Sequence, residues 1–432
     1  MRKHLCSWTA LAAACLLPRP LAAAQFTASA YVSAALSASP AMRAAEESFR
    51  QAEDAYKASV FDAALPSFSF TMGESFYDDL DPRLRVARSA VTSGLSASWT
   101  LYDSASSPFL RIKRARLDYE TAELTLLSAK QGEAITALTR FYALYSTQQR
   151  TVIARMNLAS RERQYKDTYE QFNSGTQGRI QVTQSEGDKL QSELDLAQAE
   201  ADETKALMAF NELLDAEPDA AEQVEVSTQP PDIKLPLPRS DVQRALKDNL
   251  SIRSQRLALE KARLQHHTDV ASYYPRLSLG ASWSKTGLGL VGPGYSGTGN
   301  PAYGLSAALN FPFGFFGVQN RVRKREADSV LRSAELVLED SERTLKTSVL
   351  TSQSDIALQV KSRQLLDFQV KAQKETLDNV QSEYALGGVD FLQLDSSQTK
   401  LLAASNSLVS AINDLQLALA NYRALLGEKI WE

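Results

Sequence analysis

The sequence predicts a mainly α-helical chain with a transmembrane β part, laid out as an internal tandem repeat. Three observations carry this reading. Two helices without internal proline run for more than 60 residues each. Four short segments alternate apolar with small polar residues at period two. Segments of the first half recur, in order, in the second half.

The chain has 432 residues, which on length alone suggests two or three domains. Arg2, Lys3 and His4 form a basic start, Leu5 to Leu17 carries no charge, and Ala22-Ala23-Ala24 offers a small-residue cleavage site. Residues 1–24 therefore read as a secretory signal peptide, too short and wrongly flanked for a spanning helix. The alternative is a lipoprotein signal ending at Cys15, after Leu11-Ala12-Ala13-Ala14. Both cysteines, Cys6 and Cys15, lie in this leader, so the exported chain would hold no disulfide, thiolate ligand or cysteine nucleophile. With 47 basic against 51 acidic residues there is no basic footprint for a nucleic acid. Thr286 to Asn320 is uncharged, but glycines and three prolines prevent it from being one helix.

The repeat sets the order of elements. Ala35–Pro40 resembles Ala245–Leu250, Leu65–Phe70 matches Tyr274–Leu279, Gly94–Ala97 matches Gly304–Ala307, and Gln171–Gly175 matches Glu383–Gly387, all offset by about 210 residues. Repeats over 25–216 and 240–432 meet at a proline-rich linker, 217–239. Each repeat reads as a helix, two strands, a long helix, a turn and a return helix.

The first helices are expected over Ala41–Ala63 and Asp241–Ala271, ended by Pro66 and Pro275. In the strands, Phe68, Phe70 and Met72 alternate with Ser67, Ser69 and Thr71; Leu95, Ala97, Trp99 and Leu101 alternate with Ser96, Ser98 and Thr100. In the second half Leu277, Leu279, Ala281 and Trp283 alternate with Ser278, Gly280, Ser282 and Ser284, and Tyr303 to Phe313 alternates likewise. The polar set is small and the apolar set is bounded by Tyr273, Tyr274, Phe315 and Phe316, which suits a lumen on one face and lipid on the other. A soluble sandwich with a buried apolar face is the competing reading. Gly73–Ala90 and Lys285–Ala302 read as hairpin turns. Four strands cannot close, and an open edge in lipid leaves backbone groups without partners. The sheet must therefore close with copies of itself: two copies would make a filled barrel of eight strands, and three a barrel of twelve with room for an opening.

The long helices, Phe109–Gln171 and Val318–Tyr384, would each span roughly 90–100 Å. Leu331, Ala334, Leu338 and Leu345 form an apolar stripe opposite charges such as Glu339, Asp340, Glu342 and Arg343, the pattern of coiled-coil packing. Return helices over Ile180–Leu214 and Phe391–Leu426 would pack antiparallel to them. The turns between carry Gly175 and Gly178 in one repeat, and Gly387 and Gly388 in the other, where glycine serves as a C-cap.

The duplicated grammar, the strand entries Leu65-Pro66 and Tyr274-Pro275, and the stretch Tyr384 to Asp395 together resemble the TolC-like outer membrane efflux proteins. The resemblance covers essentially all of the exported chain. It implies a homotrimer with a shared 12-stranded barrel in outer-membrane lipid, an α-helical tunnel through the periplasm, and an equatorial belt near the linker and the C-terminus. It implies docking at the tip turns by a periplasmic adaptor and, through it, an inner-membrane pump or ABC transporter. It also implies drug efflux, metal efflux or type I secretion. A constriction is expected at the tip, with Asp390, Gln393 and Asp395 as candidates from the second repeat and Arg179, Gln181 and Gln184 beside the first turn. The same acids can equally serve the α-helix dipole.

No catalytic constellation appears. His266 and His267 are adjacent, hence about 100° apart on a helix, and read as solvated residues rather than a metal pair. Gly287–Gly292 fits a dinucleotide fingerprint by spelling but opens no helix. No cofactor, metal or enzymatic activity is expected. The rival from another class is a periplasmic coiled-coil scaffold or adaptor without a barrel.

Overall fold

The computed structural model describes residues 24–77, 88–103, 107–176, 178–218, 220, 222–224, 238–271, 274–288, 301–311, 318–386 and 388–431. Residues 1–23 with Cys6 and Cys15, the expected leader, most of the expected linker 217–239, and Gln177, Tyr273, Phe313, Phe315, Phe316 and Gly387 lie outside them.

One succession of elements occurs twice. Helices α1 (Ala28–Ala38) and α2 (Pro40–Ala64) lead into strands β2 (Ser67–Tyr77) and β3 (Arg88–Asp103), then α3 (Pro108–Asn173) and α4 (Arg179–Leu213). Helices α5 (Pro238–Asp248) and α6 (Leu250–Ala271) lead into β5 (Arg276–Leu288) and β6 (Ala302–Asn310), then α7 (Val318–Ala385) and α8 (Phe391–Leu425). Short strands β1 (Ala24–Phe26) and β4 (Glu222–Val224) pair in parallel and tie the start of the described chain to the linker.

The long helices match the apolar periodicity. Helix α3 has 66 residues and α7 has 68, so each is about 100 Å long. Helix α3 starts with Pro108 in its first turn, where a missing N–H costs nothing, and the Ser107 hydroxyl accepts from Leu110 N–H at 3.3 Å. It ends where Gly175 takes φ +80° and Thr176 N–H donates to Gln171 O at 2.9 Å, a Schellman closure that only glycine adopts without strain. The first hairpin packs α3 on α4, the second packs α7 on α8, and α3 also contacts α2, α6 and α8.

The expected single helix over 241–271 is two helices. Asn249 interrupts it: its Oδ1 accepts from the N–H groups of Ser251 (2.9 Å) and Ile252 (3.2 Å), capping α6, while its Nδ2 donates to Leu425 O on α8 at 2.9 Å. The first half breaks at the corresponding place, between α1 and Pro40, and α1 itself goes beyond the helices expected from the sequence.

Strands β2, β3 and β5 are longer than alternation implied, and they consume part of the expected turns 73–90 and 285–302. Four form one antiparallel sheet in the order β2-β3-β5-β6, so the central pair β3·β5 joins the two halves and β2 and β6 stand at the edges. Strand β6 stops at Asn310, leaving Phe311 beyond it. A bulge at Leu101 corrects the expected alternation. Thr100 pairs with Ser278 and Tyr102 with Leu277, so Tyr102 takes the apolar-face position that period two assigned to Leu101.

Three apolar clusters hold the helices. The largest gathers Tyr31, Val32, Ala134, Phe141, Leu144, Phe210 and Ala420, flanked by Phe26, Val224 and Trp431. Within it Tyr31 stacks on Phe210 (ring centroids 3.9 Å apart), and its hydroxyl donates to Phe210 O at 2.9 Å. A second cluster joins α5 and α6 to α7 and α8 through Ala245, Ile252, Val349, Ile356 and Leu415. A third, Leu377, Val380 and Leu394, lies toward the α7–α8 turn.

Candidate functional site

Two regions invite a functional reading: the sheet at one end of the helical hairpins and the paired turns at the other.

The sheet segregates its side chains by strand register. One face carries Phe68, Phe70 and Met72 beside Leu95 and Trp99, and continues to Leu279, Tyr303, Leu305 and Leu309; all are exposed, Tyr303 by 80% and Leu305 by 91%. An apolar sheet face of this size in water is strongly unfavourable, whereas against lipid or a partner it is not. Tyr274, at the entry to β5, is exposed as well.

The other face is a field of small hydroxyls. Ser67 and Ser98 share a hydrogen bond of 2.6 Å, Ser69 and Ser96 one of 2.7 Å, and Thr71 Oγ1 donates to Gly94 O at 3.4 Å. Glycine faces serine across the strands. A Cβ at Gly280 would come within 2.7 Å of Ser306 Oγ, one at Gly304 within 2.7 Å of Ser282 Oγ, and one at Gly94 within 3.0 Å of Thr71 Oγ1. A side chain at any of these positions would make the facing hydroxyl turn aside. At its helix-proximal end Arg276 and Asp103 are register partners and form an ion pair at 3.5 Å, with Asp103 buried.

At the opposite end of the hairpins, the candidate tip residues separate into two groups. Asp390 is the N-cap of α8: its Oδ1 accepts from Gln393 N–H at 2.8 Å. Asp390 and Gln393 are exposed, as are Gly175, Gly178, Arg179 and Gly388. Gly178 caps α4, and a Cβ there would meet the Gln181 Oε1 at 2.9 Å, so the Gln181 amide folds back over the turn. Gly388 N–H donates to Glu383 O at 2.8 Å, closing the α7 end. Ile180, Leu386 and Leu392 stand exposed around these turns.

Asp395 faces elsewhere. Its carboxylate accepts from the Arg161 guanidinium of α3 at 2.5 Å, and Arg161 is buried between Gln164 Oε1 (3.3 Å), Thr399 Oγ1 (3.4 Å) and Asp188 of α4 (3.9 Å). Burial raises the Asp188 pKa above the usual carboxylate value, Arg161 opposes this, and Asp395 adds to it. Nothing in the sequence marks Arg161 as a partner of Asp395, because 234 residues separate them. Beside this cluster a cleft of about 560 Å³ is lined by Gln164, Gln171, Tyr384 and Gln398, each with a buried side-chain atom that has no hydrogen-bond partner among the described residues.

The histidines are not simply solvated. His266 on α6 is hydrogen-bonded through Nε2 to Asp328 on α7 at 2.7 Å, while His267 is exposed. Among the described residues no cluster of His, Cys, Asp and Glu could hold a metal, and no helix is long and apolar enough to cross a membrane.

Residues 242–428, covering α6, the second strand pair and the second hairpin, match the outer membrane efflux protein family. That match covers less than half of this chain. The chain is also 26% identical over 199 residues to the probable outer membrane lipoprotein SilC of Salmonella typhimurium, a stretch covering 43% of this chain and 41% of that protein. Its fold is similar to that of CusC, in crystal structures describing folding and transmembrane channel formation, with a TM-score of 0.79, 16% identity, and 93% of this chain matched to 92% of that one. It is likewise similar to the outer membrane protein VceC of Vibrio cholerae, with a TM-score of 0.76, 16% identity, and coverage of 94% and 97%. The fold shared with these two proteins extends over both halves of the chain.

Proposed function

We propose that this chain is one protomer of a trimeric outer-membrane channel with a large periplasmic part, a conduit and not a catalyst. The observation that carries the reading is the four-stranded sheet with an exposed apolar face and two edge strands, set at the end of helices about 100 Å long. Three such sheets joined edge to edge would close a 12-stranded barrel and leave a lumen. The two halves of the chain would derive from a tandem duplication, so that each protomer supplies two strand pairs and two helical hairpins to pseudo-sixfold walls. Similarity to CusC and VceC supports the architecture.

In this reading the hairpin tips face the cell interior. Asp390, with Gln393, Arg179 and Gln181 nearby, borders the narrow end, and Gly175, Gly178, Gly387 and Gly388 shape the turns that dock a periplasmic adaptor and its inner-membrane pump or ABC transporter. Asp395 serves the interior of the wall through Arg161 rather than the opening. Tyr274, with Tyr273, Phe315 and Phe316, marks the membrane interface. Export of small molecules through a tripartite efflux complex fits the family matched by residues 242–428 better than secretion of proteins.

The test is reconstitution into planar bilayers. Discrete conductance steps, together with a crosslinked species of three chains, are expected. A protein extracted without detergent that crosslinks only as a monomer and carries no current would instead fit the scaffold reading.

A further inference from the structure

We infer that the exposed leucine stripe of α4 is the seat for α7 of a second copy, centred on Leu366, and that it repeats between chains the contact that α8 makes with α3 inside one chain. The inference rests on the proposed trimer and names the helical surfaces that would close it.

The helical hairpins form a row in the order α4-α3-α8-α7, because α3 packs on both α4 and α8, and α8 on both α3 and α7. This row has two open ends, α4 and α7, just as the sheet has the two edge strands β2 and β6.

The two hairpins are in register with each other. Helices α4 (Arg179–Leu213) and α8 (Phe391–Leu425) have 35 residues each and are offset by 212. Helices α3 and α7 end at Asn173 and Ala385, at the same offset. Burial follows that offset: Phe141, Leu144, Thr151 and Thr168 are buried on α3, and so are Gln353, Ile356, Arg363 and Val380 on α7. A contact made by α3 with α8 therefore predicts its counterpart, made by α7 with α4 of the next chain.

The contact inside one chain is antiparallel. Arg150 donates to Ser410 Oγ at 2.9 Å, Ala154 and Asn406 line one cleft, and Arg161 meets Thr399 and Asp395. Shifted by one repeat, these positions are Ser362, Leu366 and Gln373 on α7, and Gln198, Leu194, Gly187 and Thr183 on α4. Leu366 of one chain would thus lie against Leu194 of the next.

The α4 surface is built for such a neighbour. Leu194, Ala201 and Met208 recur every seven residues, the spacing of a coiled-coil seam, and Leu190 stands beside them. Leu194 is 62% exposed in the single chain and Met208 is 47% exposed. Ala420, the counterpart of Met208 on α8, is 7% exposed because it lies in the cluster that includes α3. The difference is the missing helix. At the place of the Arg161–Asp395 ion pair the contact between copies has Gln373 and Thr183, so it relies on leucine packing rather than on charge. Because the two faces differ, each chain offers one α4 seat and one α7 ridge, a head-to-tail contact that closes as a ring.

Paired thiols test this map. The only native cysteines, Cys6 and Cys15, lie in the expected leader. Packed helix axes stand about 8–10 Å apart, so a short bis-maleimide is used instead of direct oxidation. Leu194→Cys combined with Leu366→Cys, in the assembled protein, is expected to give bands of two and three chains on a denaturing gel. Ala154→Cys combined with Asn406→Cys is expected to consume both thiols and remain a single chain, while each single variant gives no such bands. An assembly that sediments as three chains but fails to link Leu194→Cys to Leu366→Cys between chains would overturn this seam and leave the channel reading standing. A protein that stays a single chain and carries no current would overturn both. Failure of the Ala154→Cys and Asn406→Cys link would remove the contact on which the map is built, and the map with it.

Discussion

The guanidinium of Arg161 on α3 lies 2.5 Å from the carboxylate of Asp395 on α8, joining the first helical hairpin to the second by a contact that excludes most solvent from the arginine. Removing one partner strands the other. Asp395→Ala is expected to cost about 1–3 kcal/mol, because Arg161 keeps only neutral partners and the more distant Asp188. Arg161→Met combined with Asp395→Leu should recover most of that loss, since neither charge is then left buried. Denaturation of the purified assembly for the two single variants and the double variant checks this, and a double variant as damaged as the sum of the singles would refute it.

Asp188 gives the same cluster a dependence on pH. Burial raises its folded pKa above the unfolded value of 3.8, against the pull of Arg161 and with the push of Asp395. The folded protein therefore takes up the Asp188 proton at higher pH than the unfolded chain does. Stability attributable to this group rises as pH falls through the folded pKa and is level below the unfolded one. Asp188→Asn should thus be more stable than the parent at pH 7, and its advantage should fade by about pH 4. Thermal midpoints across that range decide the matter; a variant less stable than the parent at neutral pH would show that the ionised carboxylate is favourable where it stands.

What the sequence made legible follows from local periodicity. Alternation in Ser67–Met72 and Leu277–Ser284 identified strands and separated their faces, and the apolar stripe around Leu338 and Leu345 identified a very long helix. What it concealed depends on partners remote in the chain. Helix α1 is rich in alanine and serine, and the stacking of Tyr31 on Phe210 explains its place in the core. The apolar period continues through Asn249, so the break there becomes visible only once Leu425 O is seen to accept from its amide. The bulge at Leu101 is invisible for a similar reason: it is a property of pairing with β5 and not of β3 itself. At the tip, Asp390 and Asp395 look alike in sequence, yet one caps a helix and the other neutralises a buried arginine.

Asn249 also meets Gly427, and that junction supports a sharp expectation. Helix α8 ends in a Schellman closure, with Glu428 N–H donating to Arg423 O at 3.0 Å and Gly427 at φ +78°. A Cβ on Gly427 would meet the Asp248 carbonyl carbon at 2.5 Å and Asn249 N at 2.9 Å, both backbone atoms that cannot swing aside. Gly427→Ala therefore combines left-handed strain of about 1–2 kcal/mol with a clash against the α5–α6 break. Asn249→Ala removes the cap of α6 and one bond to α8, for about 1–2 kcal/mol. Both variants should lower the thermal midpoint, Gly427→Ala by more. Equal midpoints for Gly427→Ala and the parent would mean that the two helix ends are not held together as described.

Tyr422 links the same region to α7 in a way that titration can read. Its hydroxyl donates to Asp241 Oδ2 and accepts from Gln353 Nε2 at 2.7 Å, and Gln353 in turn donates to Asp241 at 2.9 Å, closing a buried triangle across α5, α7 and α8. Burial is the main cause that pushes the phenol up to about 12, with the hydrogen bond to Asp241 adding to it and Gln353 opposing. At pH 8 Tyr422→Phe should cost about 1–2 kcal/mol, since Asp241 loses a donor in a buried site. The gap should then narrow between pH 10 and 12. There the unfolded chain ionises its tyrosine at about 10 while the folded parent holds the proton, so the stability contributed by Tyr422 falls as pH rises, and phenylalanine has no proton to lose. Paired thermal midpoints of parent and variant at pH 8, 10 and 11.5 measure the gap. A gap that stays constant or widens with pH would place the Tyr422 proton outside this network, and with it the claim that α5, α7 and α8 are fastened through one hydroxyl.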